Sequence, residues 1–321
     1  MLKRYFSKTN LCWIALSAIA FILVSVLINI GLLGSYYQIT LYNICINIIL
    51  AVSLNLIIGI CGQFSLGHAG FMCIGAYSAA ILVKSMPNMG GFVMGIVIGL
   101  VISAIAALIV SIPTLRLRGD YLAIATLGFS EIIRIIVLNL KITNGAAGLS
   151  GIAKLTTWPL LFVLMVASIV IVTNFSRSRQ GRACISIRED EIASEAMGVN
   201  TTKYKTMAFV IGAMLASVAG ALYACNFFVI QPDLFNFNKS IDILVMVVFG
   251  GMGSITGSLI AAIFIGILNT VLQSFSSIRM IIYGLALVGI MIFRPGGLLG
   301  TKEFTFSALL RRFKKKGGMK R

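Results

Sequence analysis

The chain has 321 residues, 59% hydrophobic and 11% charged, with a formal net charge of +17 and a mean hydropathy of +1.02. A soluble domain carries about 25% charged residues, so this chain lacks the charge to cover a water-facing surface, and lipid must cover most of it. In a soluble protein the basic excess would suggest nucleic acid. Here it is read as cytoplasmic loops between membrane spans, where Lys and Arg collect, and no nucleic-acid partner is expected.

A helix needs roughly 20 apolar residues to cross a bilayer, and about ten such runs are present. They are continuous rather than alternating, which excludes a transmembrane barrel. The expected fold is an all-α polytopic membrane protein of about ten transmembrane helices, a single domain over residues 1–321.

In chain order, Lys3, Arg4 and Lys8 precede span 1, Cys12 to Leu33, and span 2 runs Ile39 to Ile60. A glycine-rich break near 61–70 (Gly62-Gln-Phe-Ser-Leu-Gly-His-Ala-Gly70) separates it from span 3, which reaches Lys84. Span 4 is Phe92 to Ile112, and Arg116 and Arg118 follow. Span 5 is Tyr121 to Asn139, with Asp120 expected as its N-cap. The loop 143–151 leads to span 6, Trp158 to Phe175. Span 7 is Met207 to Val229. Span 8, Ile241 to Phe249, is short and ends in a second break near 249–257, Gly250-Gly-Met-Gly-Ser254. Spans 9 and 10 are Ile255 to Phe275 and Met280 to Phe293, and a basic tail occupies 301–321.

With Lys3, Arg4 and Lys8 in the cytoplasm, ten crossings put Arg116, Arg118, residues 176–205 and the tail on the same side. Every basic cluster then obeys the positive-inside bias, and both termini are cytoplasmic. Eight crossings, with spans 8 and 9 re-entrant, keep both ends inside too. The two Gly/Ser breaks hint at a structural repeat with a pathway near its interface, or at ordinary close helix contacts.

The one long polar segment inside the chain is Ser176 to Lys205, which holds four of the nine acidic residues: Glu189, Asp190, Glu191 and Glu195. Ser186 to Met197 reads as a short amphipathic helix, with Gly198 in a helix-ending position. Membrane-surface helices are usually basic, so this acidic one reads as a cytoplasmic loop that docks a protein.

Glu131 lies eleven residues beyond Asp120, about 16 Å along the helix, near mid-membrane, with Arg134 on the same face. The pair either lines a polar pathway or fixes helix packing. Gln63, Ser65 and His68, the single histidine, either line a pore or satisfy backbone groups freed at the break. The six cysteines show no CxxC spacing and read as buried small hydrophobes, with no metal site expected. No Gly-Lys dipeptide occurs, hence no phosphate-binding loop of the Walker type. No nucleophile motif or paired acid is visible either, so no enzyme activity and no bound cofactor are expected. Energy must come from a partner or an ion gradient.

Gly62-QFSLGHAGFMCIGAY77, Gly119-DYLAIATLGFSEIIR134, Thr143-NGAAGLSGI152, Gly181-RACISIREDEIASEAMGVNTTKYK205, Phe249-GGMGSITG257 and Phe293-RPGGLLG300 occur in this order. Together they make the chain resemble the permease subunit of branched-chain amino acid ABC importers, the LivM type. The resemblance implies a bacterial plasma (inner) membrane protein paired with a LivH-type permease. It implies two cytoplasmic ATPases that use ATP and an extracytoplasmic substrate-binding receptor. Arg188, Glu189, Glu191, Glu195 and Gly198 would form the ATPase-coupling segment. The general importer motif E-A-A-x-x-x-G is contracted here to Glu195-Ala-Met-Gly198. Urea or another small amide or amino acid is the alternative cargo within the same family. A gradient-driven transporter using Glu131 and His68 is the rival mechanism.

Overall fold

A computed structural model describes residues 8–31, 34–114 and 119–271, together with 284–285, 288–289, 297–298 and 300. Eleven α-helices run in chain order among these residues: α1 Lys8–Asn29, α2 Ser35–Asn55, α3 His68–Ser85, α4 Met89–Thr114, α5 Asp120–Asn139, α6 Trp158–Arg177, α7 Arg179–Glu189, α8 Glu191–Ala196, α9 Thr201–Phe227, α10 Phe237–Gly250 and α11 Ile255–Val271. Two short strands, β1 Leu149–Ser150 and β2 Val229–Ile230, pair antiparallel with Leu149 opposite Ile230.

The all-α membrane architecture is present; the count of ten spans is not confirmed among the described residues. Five helices among the described residues are long and apolar enough to cross a membrane: α2 with its extension to Ile60, α4, α5, α6 and α9. α10 has 14 residues and α11 has 17, and most of expected span 10, like the basic tail, Arg116 and Arg118, lies outside the described residues. α3 begins with His68, carries Lys84 in its last turn and is rich in small residues. It is nonetheless among the most buried helices, because its neighbours cover it and lipid does not have to.

Burial follows the distribution of apolar side chains. α2 is apolar around its whole circumference and is largely buried, as is α9, whereas α4, α5 and α6 are mostly exposed and present Ile, Val and Leu outward. A helix hydrophobic on all faces belongs in the interior of a bundle. The tightest packing joins α3, α4 and α9. A methyl group added at Gly95 would lie 2.7 Å from the Ala79 Cα, and one at Gly75 or Gly220 would collide with the Ser217 or Met72 carbonyl. Small residues let backbones approach where lipid removes the hydrophobic drive for association.

α9 is 27 residues long, about 40 Å at 1.5 Å per residue. It separates two ends of the bundle. At one end α7 and α8 meet in an elbow; at the other the turn Pro232–Phe235 follows β2.

Candidate functional site

The elbow is where sequence and structure differ most informatively. The expected single helix over 186–197 is broken at Asp190, whose backbone is extended (φ −155°, ψ 110°). The Asp190 carboxylate accepts from the Ala193 N–H at 2.9 Å and caps α8. A short acidic side chain so placed competes with helix continuation and starts a new helix. Gly198 takes φ +83° after α8, the left-handed ending expected of it, and the Asn200 side chain accepts from the Lys203 N–H to start α9. Asp120, by contrast, does not cap α5: Gly119 at φ +57° holds that position, and Asp120 is the first helical residue.

The five expected coupling residues divide by direction. Glu195 and Gly198 are exposed and Glu189 is 67% exposed. Ile192 and Met197 beside them are 68% and 84% exposed. Arg188 and Glu191 turn inward. Lys205 Nζ donates to Glu191 Oε1 at 2.5 Å, tying α8 to α9. Arg188 Nη1 donates to the Gly59 carbonyl at 2.6 Å, and its Nε to Glu189.

The Gly59 carbonyl is available for a local reason. α2 ends in a π-helical turn, Leu56–Ile60, in which the Cys61 N–H bonds to the Leu56 carbonyl and the Gln63 N–H reaches back to that of Ile57. The widened turn leaves Gly59 without its ordinary donor, and a buried carbonyl must find one. Asn55, fully buried, completes the junction: its Nδ2 donates to the Ser254 carbonyl at 2.9 Å and its Oδ1 accepts from the Gly253 N–H at 2.8 Å. The breaks after α2 and α10 therefore touch each other, with Arg188 against both Gly62 and Gly253. Asn55 and Gly59 were not singled out from the sequence. The available signal was an Asn four residues before a Gly in an otherwise apolar run.

The break at 61–67 mostly satisfies itself. Ser65 Oγ accepts from the Gly67 N–H at 3.4 Å, Thr126 Oγ1 from Leu66, and Ser240 Oγ from Ala69. Ser53 Oγ donates to the Leu50 carbonyl and meets His68 Nε2 at 2.7 Å. His68 Nδ1 is buried and without a partner among the described residues. Gln63 is 2% exposed, and both its side-chain polar atoms lack a partner among the described residues. Ser130, Tyr77 and Asn226 also hold unpaired buried polar atoms.

Glu131 and Arg134 do pair: Arg134 Nε donates to Glu131 Oε2 at 2.7 Å. A third member was missed. Arg134 Nη1 donates to Asp233 Oδ1 at 3.1 Å, in the turn after β2. The group therefore ties the second half of α5 to the turn at the end opposite the elbow. Asp233 is 82% exposed, so its bond to Arg134 contributes at most about 1 kcal/mol. Cys45, Cys61, Cys73, Cys184 and Cys225 are free and buried, consistent with packing.

A bundle of apolar helices carrying breaks and a polar elbow defines a multi-pass membrane protein. The chain belongs to the family described as branched-chain amino acid transport system / permease component, which it matches over residues 36–293. Its relatives include the high-affinity branched-chain amino acid transport system permease protein LivM of Salmonella typhimurium, 37% identical over 79% of this chain and 68% of its own length. LivM of Escherichia coli is 36% identical with the same coverage. The E. coli permease protein LivH is 26% identical over 79% of this chain and 91% of its own. Among solved structures, a chain of PsaBC from Streptococcus pneumoniae in complex with Fab reaches a TM-score of 0.45 at 16% identity, covering 83% of this chain and 95% of its own. That likeness is too loose to bear on fold or function.

Proposed function

We propose that this permease component is one of two transmembrane subunits of an ATP-driven ABC importer of branched-chain amino acids, with a LivH-type subunit as the other. Two cytoplasmic ATPases bind the elbow within residues 176–205, an extracytoplasmic receptor delivers the amino acid, and ATP is used by the partners alone. Both termini and the elbow face the cytoplasm of a bacterial inner membrane. The count of crossings remains ten in this reading.

The observation that carries the proposal is the two-sided elbow. Ile192, Glu195 and Met197 face outward, an apolar patch edged by acid suited to a protein groove. From the other side of the same segment Arg188 holds the Gly59 carbonyl between two helix breaks. Movement of the elbow by a closing ATPase pair is thereby passed to α2, α10 and α11, whose breaks lack continuous helical bonding and yield first. Gln63, buried and unpaired beside this junction, is the member of the break best placed to meet cargo; Ser65 holds the Gly67 N–H beside it and His68 meets Ser53.

The test is co-reconstitution. A cysteine at Met197 should crosslink to an ATPase subunit in the assembled importer, and vesicles should take up leucine only with ATP inside the ATPase compartment. Uptake driven by a proton gradient without ATPases would replace this reading with a secondary transporter. Uptake of urea in preference to leucine would change the cargo but keep the machine.

A further inference from the structure

At the end opposite the elbow, Arg134 is held from behind by Glu131 at 2.7 Å and covered by Asp233 at 3.1 Å. The two contacts are unequal. Glu131 is on the same helix and 27% exposed, whereas Asp233 is 82% exposed and sits in a separate turn. A charge-assisted bond is ordinarily about 2.7–2.9 Å long, and a guanidinium is best satisfied by two parallel bonds to one carboxylate. Asp233 supplies one oxygen at the longer distance, so Arg134 keeps fork capacity that Asp233 does not fill. Beneath the turn, Phe235 packs at 6.2 Å against both Tyr77 and Tyr223. The Tyr77 hydroxyl is buried and without a partner among the described residues. A guanidinium and two carboxylates therefore meet at the edge of this turn, above the buried Phe235.

We propose that Arg134 recognises the carboxylate of an α-amino acid entering the pathway and that Asp233 is a resident stand-in, displaced when the cargo arrives. The inference rests on the amino acid importer reading above and adds to it the residues that meet the cargo. The incoming carboxylate takes both N–H groups on the free edge of Arg134. Asp233, released, accepts from the α-ammonium. A neutral amide such as urea has no carboxylate for the fork, so the site selects zwitterions.

The test uses the complete importer, with second permease, ATPases and receptor, in proteoliposomes with labelled leucine. Arg134→Gln should lower leucine moved per ATP hydrolysed by about tenfold, a readout that a packing defect would not shift. Asp233→Asn should raise receptor-independent leucine entry by a few-fold, because the competing carboxylate is gone. Arg134→Gln with leucine per ATP within about twofold of the wild type overturns the proposal. So does Asp233→Asn with unchanged or lowered entry, which would make the pair a strut between α5 and the turn. If Arg134→Gln does not accumulate in the membrane, Asp233→Asn decides alone, since the residue is exposed on a turn. A wild-type importer that moves no leucine brings down the functional reading and this inference with it. A working wild type with strut-like variants brings down only this inference.

Discussion

Two arginines close the two ends of the bundle, and they do so differently. Arg188 reaches from the elbow to a neutral backbone carbonyl that a π-helical turn has left without a donor. Arg134 reaches from α5 to two carboxylates, one firm and one exposed. A bond to a buried carbonyl has no competitor, because no free ligand offers the same group in the same place, and so it suits a lever. A bond to an exposed carboxylate has a competitor in any carboxylate-bearing solute, and so it suits a gate. Between the two ends, α3, α4 and α9 approach closely through glycines. This close-packed middle joins the two ends.

The sharpest way to break this comparison is to disturb the close-packed middle. Gly75→Val places a branched side chain against the Ser217 backbone; overpacking of this kind costs about 1–3 kcal/mol or more. Thermal unfolding of the solubilised importer should show a large loss of stability and of membrane accumulation, at both ends alike. A stably inserted, fully active Gly75→Val protein would mean that α3 and α9 are less closely packed than described.

Removing the lever should be more selective. Arg188→Ala leaves the Gly59 carbonyl unpaired, and hydrogen bonds to charged groups are worth about 1.5–3 kcal/mol. ATP-driven uptake should fall about tenfold or more with the protein still in the membrane, and Arg188→Lys should recover part of it. Equal loss of protein and of transport would assign Arg188 to folding rather than to coupling.

Smaller effects come from the outer face of the elbow. Glu195→Ala, and Gly198→Ala at φ +83°, where a side chain costs about 1–2 kcal/mol, should reduce cargo-stimulated ATP hydrolysis several-fold more than they reduce membrane levels. The reverse order would show that the elbow is a folding element with no partner.

The smallest effect sharpens the other end. In Glu131→Gln the amide oxygen still accepts from Arg134 Nε, so uptake should fall by less than about threefold. Abolished transport in a stably inserted variant would show that the charge of Glu131, and not its position, is needed.

The membrane class, the order of the helices, both breaks and the polar stretch were all legible locally, because hydropathy, glycine content and charge are properties of neighbours in the chain. The Gly198 ending was legible for the same reason. The division of the expected helix at Asp190 was less so: an Asp reads equally as a surface residue of one helix or the cap of a second, and only the folded backbone chooses. The family followed from motifs spread over most of the chain, without any of the contacts between them.

What the tertiary structure alone decided is which distant groups meet. Arg188 and Gly59 are 129 positions apart, Asn55 and Ser254 are 199 apart, and Arg134 and Asp233 are 99 apart. Nothing in the local pattern around Asp233 marks it as the partner of a guanidinium on α5, and the Asn55–Gly59 spacing does not say which distant group will meet the Gly59 carbonyl. Those pairings arise when close packing of small-residue helices brings unrelated ends into register and the buried polar groups that result must be satisfied. Composition and period set what each segment is; the requirement that every buried donor and acceptor find a partner across the bundle sets what the segments do together.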